Sequence, residues 1–148
     1  MILLGSDHGG LELKNSIAAF LTERGIDFQD CGTFDSASVD YPDYADKVAG
    51  AVSRGEAESG ILFCGTGIGI SIAANKFPNV RAALVTDTFM AQMAKEHNNA
   101  NVLVLGGRTT SADKGRDIVA AWLDASFAGG RHQARLDKIT ALEKSSNS

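Results

Sequence analysis

The sequence predicts a single α/β domain with a five-stranded parallel sheet between two layers of helices, that is, a three-layer α/β/α sandwich. Two observations predict this fold class. First, the chain contains short apolar runs without polar alternation, which is the pattern of strands covered on both faces. Second, these runs alternate along the chain with longer segments of helical period. The length of 148 residues suits one domain (1–148) with a substantial buried core.

Five apolar runs predict the strands of this sheet. They cover residues 2–4, 26–31, 60–64, 81–86 and 101–105. In parallel sheets of this kind, ligands bind at the carboxyl ends of the strands. We therefore expect the residues that follow each run to carry the functional site.

The first three helices are predicted from apolar stripes and terminating residues. The first carries its stripe from Leu13 to Leu21, and Gly25 ends it. Pro42 lies in the first turn of the second helix, which ends at Gly55. The third covers residues 66–77.

Three further helices complete the alternation. The fourth covers residues 87–97, and Ser111 caps the fifth. The sixth covers residues 131–144, and we expect a disordered tail at 144–148. The residues of the fourth helix predicted to face the core are Phe89, Met90, Met93 and Ala94.

Charge and cysteine content exclude several classes of function. A net charge of −4 argues against nucleic-acid or anionic-membrane partners. The two cysteines, Cys31 and Cys64, are too few for a disulfide framework, and no Cys/His cluster has the spacing of zinc ligands. No basic leader or membrane-spanning apolar stretch is visible. We expect a cytoplasmic protein with reduced thiols and with neither a metal nor a cofactor.

Glycine is the unusual component, and it concentrates after the third strand. The chain holds 16 glycines among 148 residues, against an average usage of about 7%. The stretch 64–69, Cys-Gly-Thr-Gly-Ile-Gly, opens a helix, so several backbone N–H groups can face one concavity that binds negative charge. It lacks the lysine of the Walker pattern and the GxGxxG spacing of dinucleotide sites, so the stretch predicts an anion or oxyanion hole.

Cys64 lies at the entrance to that helix, where a thiol is readily converted into a base or nucleophile. The alternative is a buried structural cysteine that ends a strand. Asp7 and His8 follow the first strand and suit the orientation of a sugar hydroxyl or phosphate. The alternative there is an N-cap by Asp7 with His8 on the surface.

Four more residues could bind an anion or move a proton, and each has a structural alternative. His97 ends the fourth helix, where it could equally satisfy the helix dipole. Arg108 follows two glycines and suits an anion clamp or an exposed loop. Arg131 and Arg135 share one helical face, which suits bidentate phosphate binding or a solvated basic surface. Together these groups indicate proton transfer next to a carbonyl in a small phosphorylated molecule.

The sequence resembles the B-type ribose-5-phosphate isomerases of the ribose/galactose isomerase family. The resemblance extends from the first strand to the last helix, and the central motif is highly specific. The stretches that carry it are 5–10 (GSDHGG), 40–42 (DYP), 64–76 (CGTGIGISIAANK), 96–98 (EHN), 101–103 (NVL) and 129–132 (GGRH).

The resemblance implies a Rossmann-like fold and a role for each matching residue. Cys64 is implied as the base, His97 as the acid that opens the sugar ring, and Thr66 with the backbone of 65–69 as the hole for the enediolate oxygen. The residues implied to bind the substrate are Asp7, His8, Tyr41, Gly65, Gly67, Ile68, Gly69, Asn98, Arg108, Arg131 and Arg135.

The resemblance also implies an activity and an assembly. The activity is interconversion of ribose 5-phosphate and ribulose 5-phosphate in the non-oxidative pentose phosphate pathway. The assembly is a homodimer with shared active sites and the C-terminal helix at the subunit interface; a tetramer stays open. Allose 6-phosphate or galactose 6-phosphate isomerisation is the alternative activity, and a non-catalytic nucleotide-binding or signalling module is a remote one.

Overall fold

The structure, a computed structural model that describes residues 1–146, contains the predicted parallel sheet. Its strands run in the order β2-β1-β3-β5-β4, and all neighbours are parallel. Each predicted apolar run therefore forms a strand, and the fold-class prediction is confirmed. The strands are β1 (Ile2–Ser6), β2 (Phe28–Asp30), β3 (Ser59–Cys64), β4 (Ala82–Leu84) and β5 (Val102–Gly106).

All six predicted helical regions are helical. The second region comprises two short α-helices joined by a π-helical turn at Asp46–Gly50. A single 3₁₀ turn, His8–Gly10, precedes the first helix. The helices are α1 (Leu11–Glu23), α2 (Tyr41–Ala45), α3 (Ala51–Ser53), α4 (Ile68–Ala74), α5 (Thr88–Glu96), α6 (Ala112–Asp124) and α7 (Arg131–Ser146).

Side chains that alternate along the strands divide the interior into two cores, one on each face of the sheet. Helices α1, α5 and α6 cover one core, which includes Phe63 and Leu105. Helices α2, α3 and α4 cover the other, which includes Leu62 and Val104. The central strands are thus buried on both faces, as continuous apolar runs predict.

The structure corrects three details of the helix predictions. Phe89 and Met90 are exposed, because α5 turns Ala91 toward the core together with Ala94, which was predicted to lie there. Helix α4 ends at Ala74 because the side-chain amide of Asn75 pairs with the backbone N–H and C=O of Ala82 at 2.9 Å each.

The third correction concerns the end of the chain. Helix α7 continues through Ser146, so the tail predicted from residue 144 is helical as far as that residue. Residues 147 and 148, the rest of the predicted tail, lie outside the described residues. Within residues 1–146, no helix has both the length and the apolar character needed to cross a membrane.

Lys14 forms a buried ion pair that the helical pattern did not predict. Its ammonium is fully buried and lies 2.6 Å from both carboxylate oxygens of Asp30. Asp30 also accepts a hydrogen bond from the backbone N–H of Gly32 at 2.9 Å. The pair therefore joins α1 to the loop that leaves β2.

Breaking this pair from one side should destabilise the fold. In Asp30→Asn the Lys14 ammonium stays buried without its counter-charge, which lowers the free energy of unfolding by about 3–5 kcal/mol. The matched control is Glu56→Gln, which breaks the exposed Arg54–Glu56 pair and should leave stability unchanged. Urea denaturation measures both variants, and equal losses would contradict the prediction.

Candidate active site

Three loops meet at the carboxyl edge of the sheet with no space for side chains between their backbones. They follow β1, β3 and β5. A Cβ atom on Gly107 would lie 2.5 Å from the carbonyl oxygen of Gly9, and one on Gly9 would lie 3.1 Å from the nitrogen of Gly65. The glycines that the sequence places after these strands therefore allow the loops to touch.

The thiol of Cys64 lies at the centre of this contact. Cys64 ends β3, is 5% exposed, and accepts a hydrogen bond from the backbone N–H of Gly67 at 3.2 Å. Its carbonyl oxygen accepts from the N–H of Gly107 at 2.8 Å. The sulfur is thus held in place as a hydrogen-bond acceptor, the arrangement that a thiolate needs.

The other thiol lacks these properties. Burial, and then the nearby carboxylate of Asp30, raise the pKa of Cys31, so this thiol stays protonated at neutral pH. Cys64 is therefore the better candidate for a base.

The turn after Cys64 has the shape expected of an anion-binding backbone. Gly67 has a positive φ of 80°, and α4 begins at the next residue. The hydroxyl of Thr66 accepts a hydrogen bond from the N–H of Ile68 at 3.3 Å. Gly69 has no room for a side chain, because the ring of Tyr41 would lie 2.5 Å from its Cβ. Tyr41 thus covers the first turn of α4, whose N–H groups lack acceptors within the helix.

Asp7 and His8 are both fixed in the loop after β1. The carboxylate of Asp7 is 8% exposed and accepts from the N–H of Gly10 at 3.1 Å, so Asp7 does cap the following turn. His8 accepts from the N–H of Val39 through Nδ1 at 3.2 Å. A neutral His8 therefore carries its hydrogen on Nε2, which makes that nitrogen a donor.

Arg108 adds a positive charge beside this turn. Its backbone N–H donates to the carbonyl of Gly65 at 2.8 Å. Its guanidinium lies over the same glycine, where a Cβ would be 3.1 Å from Nη1. We name the set gathered at this edge the carboxyl-edge group: Asp7, His8, Tyr41, Cys64, Gly65, Thr66, Gly67, Ile68, Gly69 and Arg108.

The remaining predicted residues lie at the opposite edge of the sheet. Helix α5 runs back from the carboxyl end of β4, so His97 and Asn98 lie where β5 begins. There the carbonyl of Asn98 accepts from Nε of Arg81, just before β4, at 3.0 Å. We name the second set the amino-edge group: His97, Asn98, Arg131 and Arg135.

One chain does not bring the two groups together. The register pairs Gly60 with Val102 and Cys64 with Gly106. Four residue steps of about 3.3 Å therefore separate the edges by roughly 13 Å. Direct proton transfer needs contacts of about 3 Å, so the residues predicted for the site fall into two separate groups within the chain.

His132 belongs with the amino-edge group, although the sequence analysis did not single it out. Its imidazole stacks on that of His97, with ring centroids 4.1 Å apart and planes 14° apart. The available signal was its position beside Arg131 with an apolar residue, Leu136, four positions later, because His132 and Leu136 form the buried face of α7.

No metal centre is found in the part of the chain that the structure describes. Within residues 1–146, no three His, Cys, Asp or Glu side chains are arranged to hold an ion. The two groups themselves offer a thiol, imidazoles, guanidiniums and backbone N–H groups.

Known proteins resemble this chain along nearly its whole length. Residues 2–139 match the family model described as Ribose/Galactose Isomerase. Ribose-5-phosphate isomerase B of Escherichia coli (strain K12) is 49% identical over 146 residues, which cover 99% of this chain and 98% of that protein.

Solved structures agree with this match. Ribose-5-phosphate isomerase B from Clostridium thermocellum superposes with a TM-score of 0.95 at 55% identity, covering 97% of each chain. The Mycoplasma genitalium enzyme of the same name, solved with bound ribulose 5-phosphate, gives a TM-score of 0.92 at 44% identity and covers 97% of this chain and 95% of its own. The similarity thus includes both edge groups.

Gly67→Ala should destabilise the protein more than Gly55→Ala. The two glycines have nearly equal positive φ values, 80° and 76°, so both variants carry a left-handed strain of about 1–2 kcal/mol. Only at position 67 does the added Cβ meet neighbours, with Leu84 Cδ1 at 2.5 Å and the backbone of Leu105 at 3.2 Å. Urea denaturation compares the free energies of unfolding of the two variants. Equal losses would contradict the prediction, because they would show that the neighbours of Gly67 move aside without cost.

Proposed function

The chain belongs to the ribose/galactose isomerase family, and on that basis we propose that it interconverts ribose 5-phosphate and ribulose 5-phosphate. This is a reaction of the non-oxidative pentose phosphate pathway. The observation that carries the proposal is the Cys64 thiol, held against the N–H of Gly67 beside a glycine-rich turn. This arrangement offers a base next to donors for a developing oxyanion.

The isomerisation moves one proton between neighbouring carbons. Cys64, as the thiolate, removes the proton from carbon 2 of the open-chain aldose, and the carbonyl oxygen on carbon 1 becomes negative. The resulting enediolate is stabilised by N–H groups of the turn 65–69 and by Thr66. One such donor contributes about 3–4 kcal/mol to the barrier reduction. The Cys64 thiol then returns the proton to carbon 1, while the hydroxyl proton on the oxygen of carbon 2 passes to the oxygen of carbon 1, which gives the ketose and restores the thiolate.

Ring opening and phosphate binding need different groups. His97 acts as the acid that protonates the ring oxygen of the cyclic sugar, and Asn98 contacts a sugar hydroxyl. Arg131 and Arg135 are exposed and one helical turn apart, which suits bidentate binding of a phosphate. Arg108, Asp7, His8 and Tyr41 complete the contacts. The binding energy of the phosphate offsets the entropy that is lost when the flexible open-chain sugar is aligned.

The separation of the two groups supports an active site that includes a second copy of the chain. Since His97 lies at the edge of the sheet away from Cys64, we infer a homodimer in which each active site combines the carboxyl-edge group of one subunit with the amino-edge group of the other. Two exposed apolar side chains support such an interface: Ile68, within the carboxyl-edge group, and Ile72, one helical turn further along α4.

Two further inferences about assembly and location stay predictions. Helix α7 carries the amino-edge arginines and exposes Ile139 and Leu142, which supports its place at the interface. A tetramer stays open. A cytoplasmic location rests on the two free thiols alone.

Cys64→Ala should abolish isomerisation of ribose 5-phosphate, because the proton on carbon 2 then has no base. We expect a loss of at least about 100-fold in kcat, the scale of general-base catalysis. Cys31→Ala is the matched control and should keep normal turnover. The ketose is measured by its absorbance or by proton NMR in buffer containing EDTA.

The same assay tests the substrate. Wild-type protein is compared on ribose 5-phosphate and allose 6-phosphate, and a higher kcat/KM on the pentose is expected. Normal turnover by Cys64→Ala would contradict the role of the thiol, and a preference for the hexose would replace the proposed substrate by the six-carbon alternative.

Subunit mixing tests whether the sites are shared. Cys64→Ala and His97→Ala are each expected to be inactive as homodimers. When the two are unfolded together and refolded, half of the dimers are mixed, and each mixed dimer has one intact site of two. About a quarter of wild-type activity should then return for a two-fold symmetric dimer. Refolding each variant alone is the control. No recovery in the mixture would show that each site lies within one chain.

A further inference from the structure

Two imidazole rings are stacked at the amino edge of the sheet, and one of them has no role in the proposed reaction. His132, in the first turn of α7, is 9% exposed, and its backbone N–H donates to the carbonyl of Gly129 at 3.1 Å. Its ring lies parallel to that of His97 with centroids 4.1 Å apart. His97 is the C-cap residue that follows α5, and its N–H donates to the carbonyl of Met93 at 2.9 Å.

We propose that His132 is a positioning residue for His97: by stacking, it holds the His97 imidazole in the plane from which its nitrogens reach the substrate. The proposal rests on the proposed function, since it concerns the acid of that reaction. It assigns His132 no contact with the sugar and no proton transfer of its own.

The contacts of His97 explain why its ring needs such a support. Among the hydrogen bonds of residues 1–146, none involves a ring nitrogen of His97, and the stack on His132 is the ring contact that the structure shows. Free ring nitrogens suit an acid that must donate to a sugar oxygen. Without a hydrogen bond to fix the ring, rotation about the side-chain bonds is limited by packing alone.

The electrostatic surroundings keep His132 neutral. Burial lowers the pKa of His132, and the charges of His97, Arg131 and Arg135 lower this pKa further. A neutral ring can stack on His97 in either protonation state, whereas two imidazolium rings would repel each other.

The other charged groups at the end of α5 are engaged elsewhere. Lys95 lies over the ring of Trp122 at 4.3 Å. Glu96 accepts a hydrogen bond from Gln92 at 2.9 Å. The charges that act on the stacked pair are therefore those of Arg131, Arg135 and His97 itself.

The first turn of α7 thus serves two purposes on two faces. Arg131 and Arg135 point to solvent, where they can bind the phosphate, while His132 turns inward onto His97. Phosphate binding and alignment of the acid therefore depend on the same helical turn. This coupling explains why a buried histidine lies between two exposed arginines.

Two substitutions separate stacking from simple filling of space. His132→Phe keeps a planar ring at this position. His132→Leu fills a similar space with an apolar side chain that has no ring. We expect His132→Phe to retain kcat within about twofold, and His132→Leu to lose roughly 10- to 100-fold in kcat, the scale of a misplaced catalytic group. The KM for ribose 5-phosphate should stay unchanged, because the arginines remain.

Proton NMR of the His97 imidazole checks the stack without reference to activity. The ring current of a stacked neighbour shifts the His97 ring protons upfield in the wild type and in His132→Phe, and this shift should vanish in His132→Leu. The spectra hold signals from three histidines, and His97→Ala identifies those of His97.

The pH dependence of stability gives a further readout. A neutral buried His132 with a lowered pKa supports the folded state above pH 6.5, its ordinary pKa, and this support is lost as the pH falls below that value. Both variants should therefore lose less stability on acidification than the wild type does, as measured by urea denaturation between pH 7.5 and pH 5, about one to two units either side of the ordinary value.

Equal kcat values for His132→Phe and His132→Leu, or an unshifted His97 signal in the wild type, would overturn the positioning role. If the wild type is active in the same experiments, the proposed function is unaffected by that result. A wild type without isomerase activity would instead overturn the proposed function, and the positioning role with it.

Discussion

Contact between three backbone loops at the carboxyl edge of the sheet is the constraint on which the rest of the structure depends. The loops after β1, β3 and β5 approach so closely that a Cβ atom on Gly107 would meet the backbone of Gly9. This contact orders the turn that follows β3. The same turn supplies the Gly67 N–H that donates a hydrogen bond to the Cys64 sulfur. The Cys64 thiol at the end of β3 is therefore positioned by backbone packing and by a backbone N–H group. The surplus of glycine in the composition is largely explained by such contacts.

The direction of the helices has an equally strong effect on the site. In a parallel sheet each connecting helix returns to the amino edge, so a residue that ends a helix lies away from residues that end a strand. Cys64 ends a strand and His97 ends a helix. A reaction that needs both a base and a ring-opening acid therefore needs either a long excursion of the chain or a second subunit. The homodimer that we propose solves this problem while each group stays on a rigid element.

Much of the fold could be predicted from the sequence, because both faces of the strands are buried and their apolar runs are continuous. Most of the carboxyl-edge group could be predicted for the same reason, since its residues follow those runs, whereas Tyr41 was predicted only from the resemblance. The division of the site followed from the topology but was not visible in the motifs taken one by one. Lys14 and His132 were missed because their partners, Asp30 and His97, lie 16 and 35 positions away in the sequence. Exposure of Phe89 depends on which face of α5 meets α6, and apolar periodicity alone does not decide this.

The amino-edge group poses a problem of charge that burial of His132 solves. In the proposed reaction Arg131 and Arg135 supply the positive charge that binds the phosphate. The proposed acid, His97 at the end of α5, adds a third positive charge beside them when it carries the proton for ring opening. A fourth, on His132, would oppose the third at a centroid distance of 4.1 Å. Burial and the neighbouring cations lower the pKa of His132 and so prevent that charge, which leaves a flat neutral surface against the acid. In the proposed complex the phosphate of the substrate compensates the positive charge of Arg131 and Arg135.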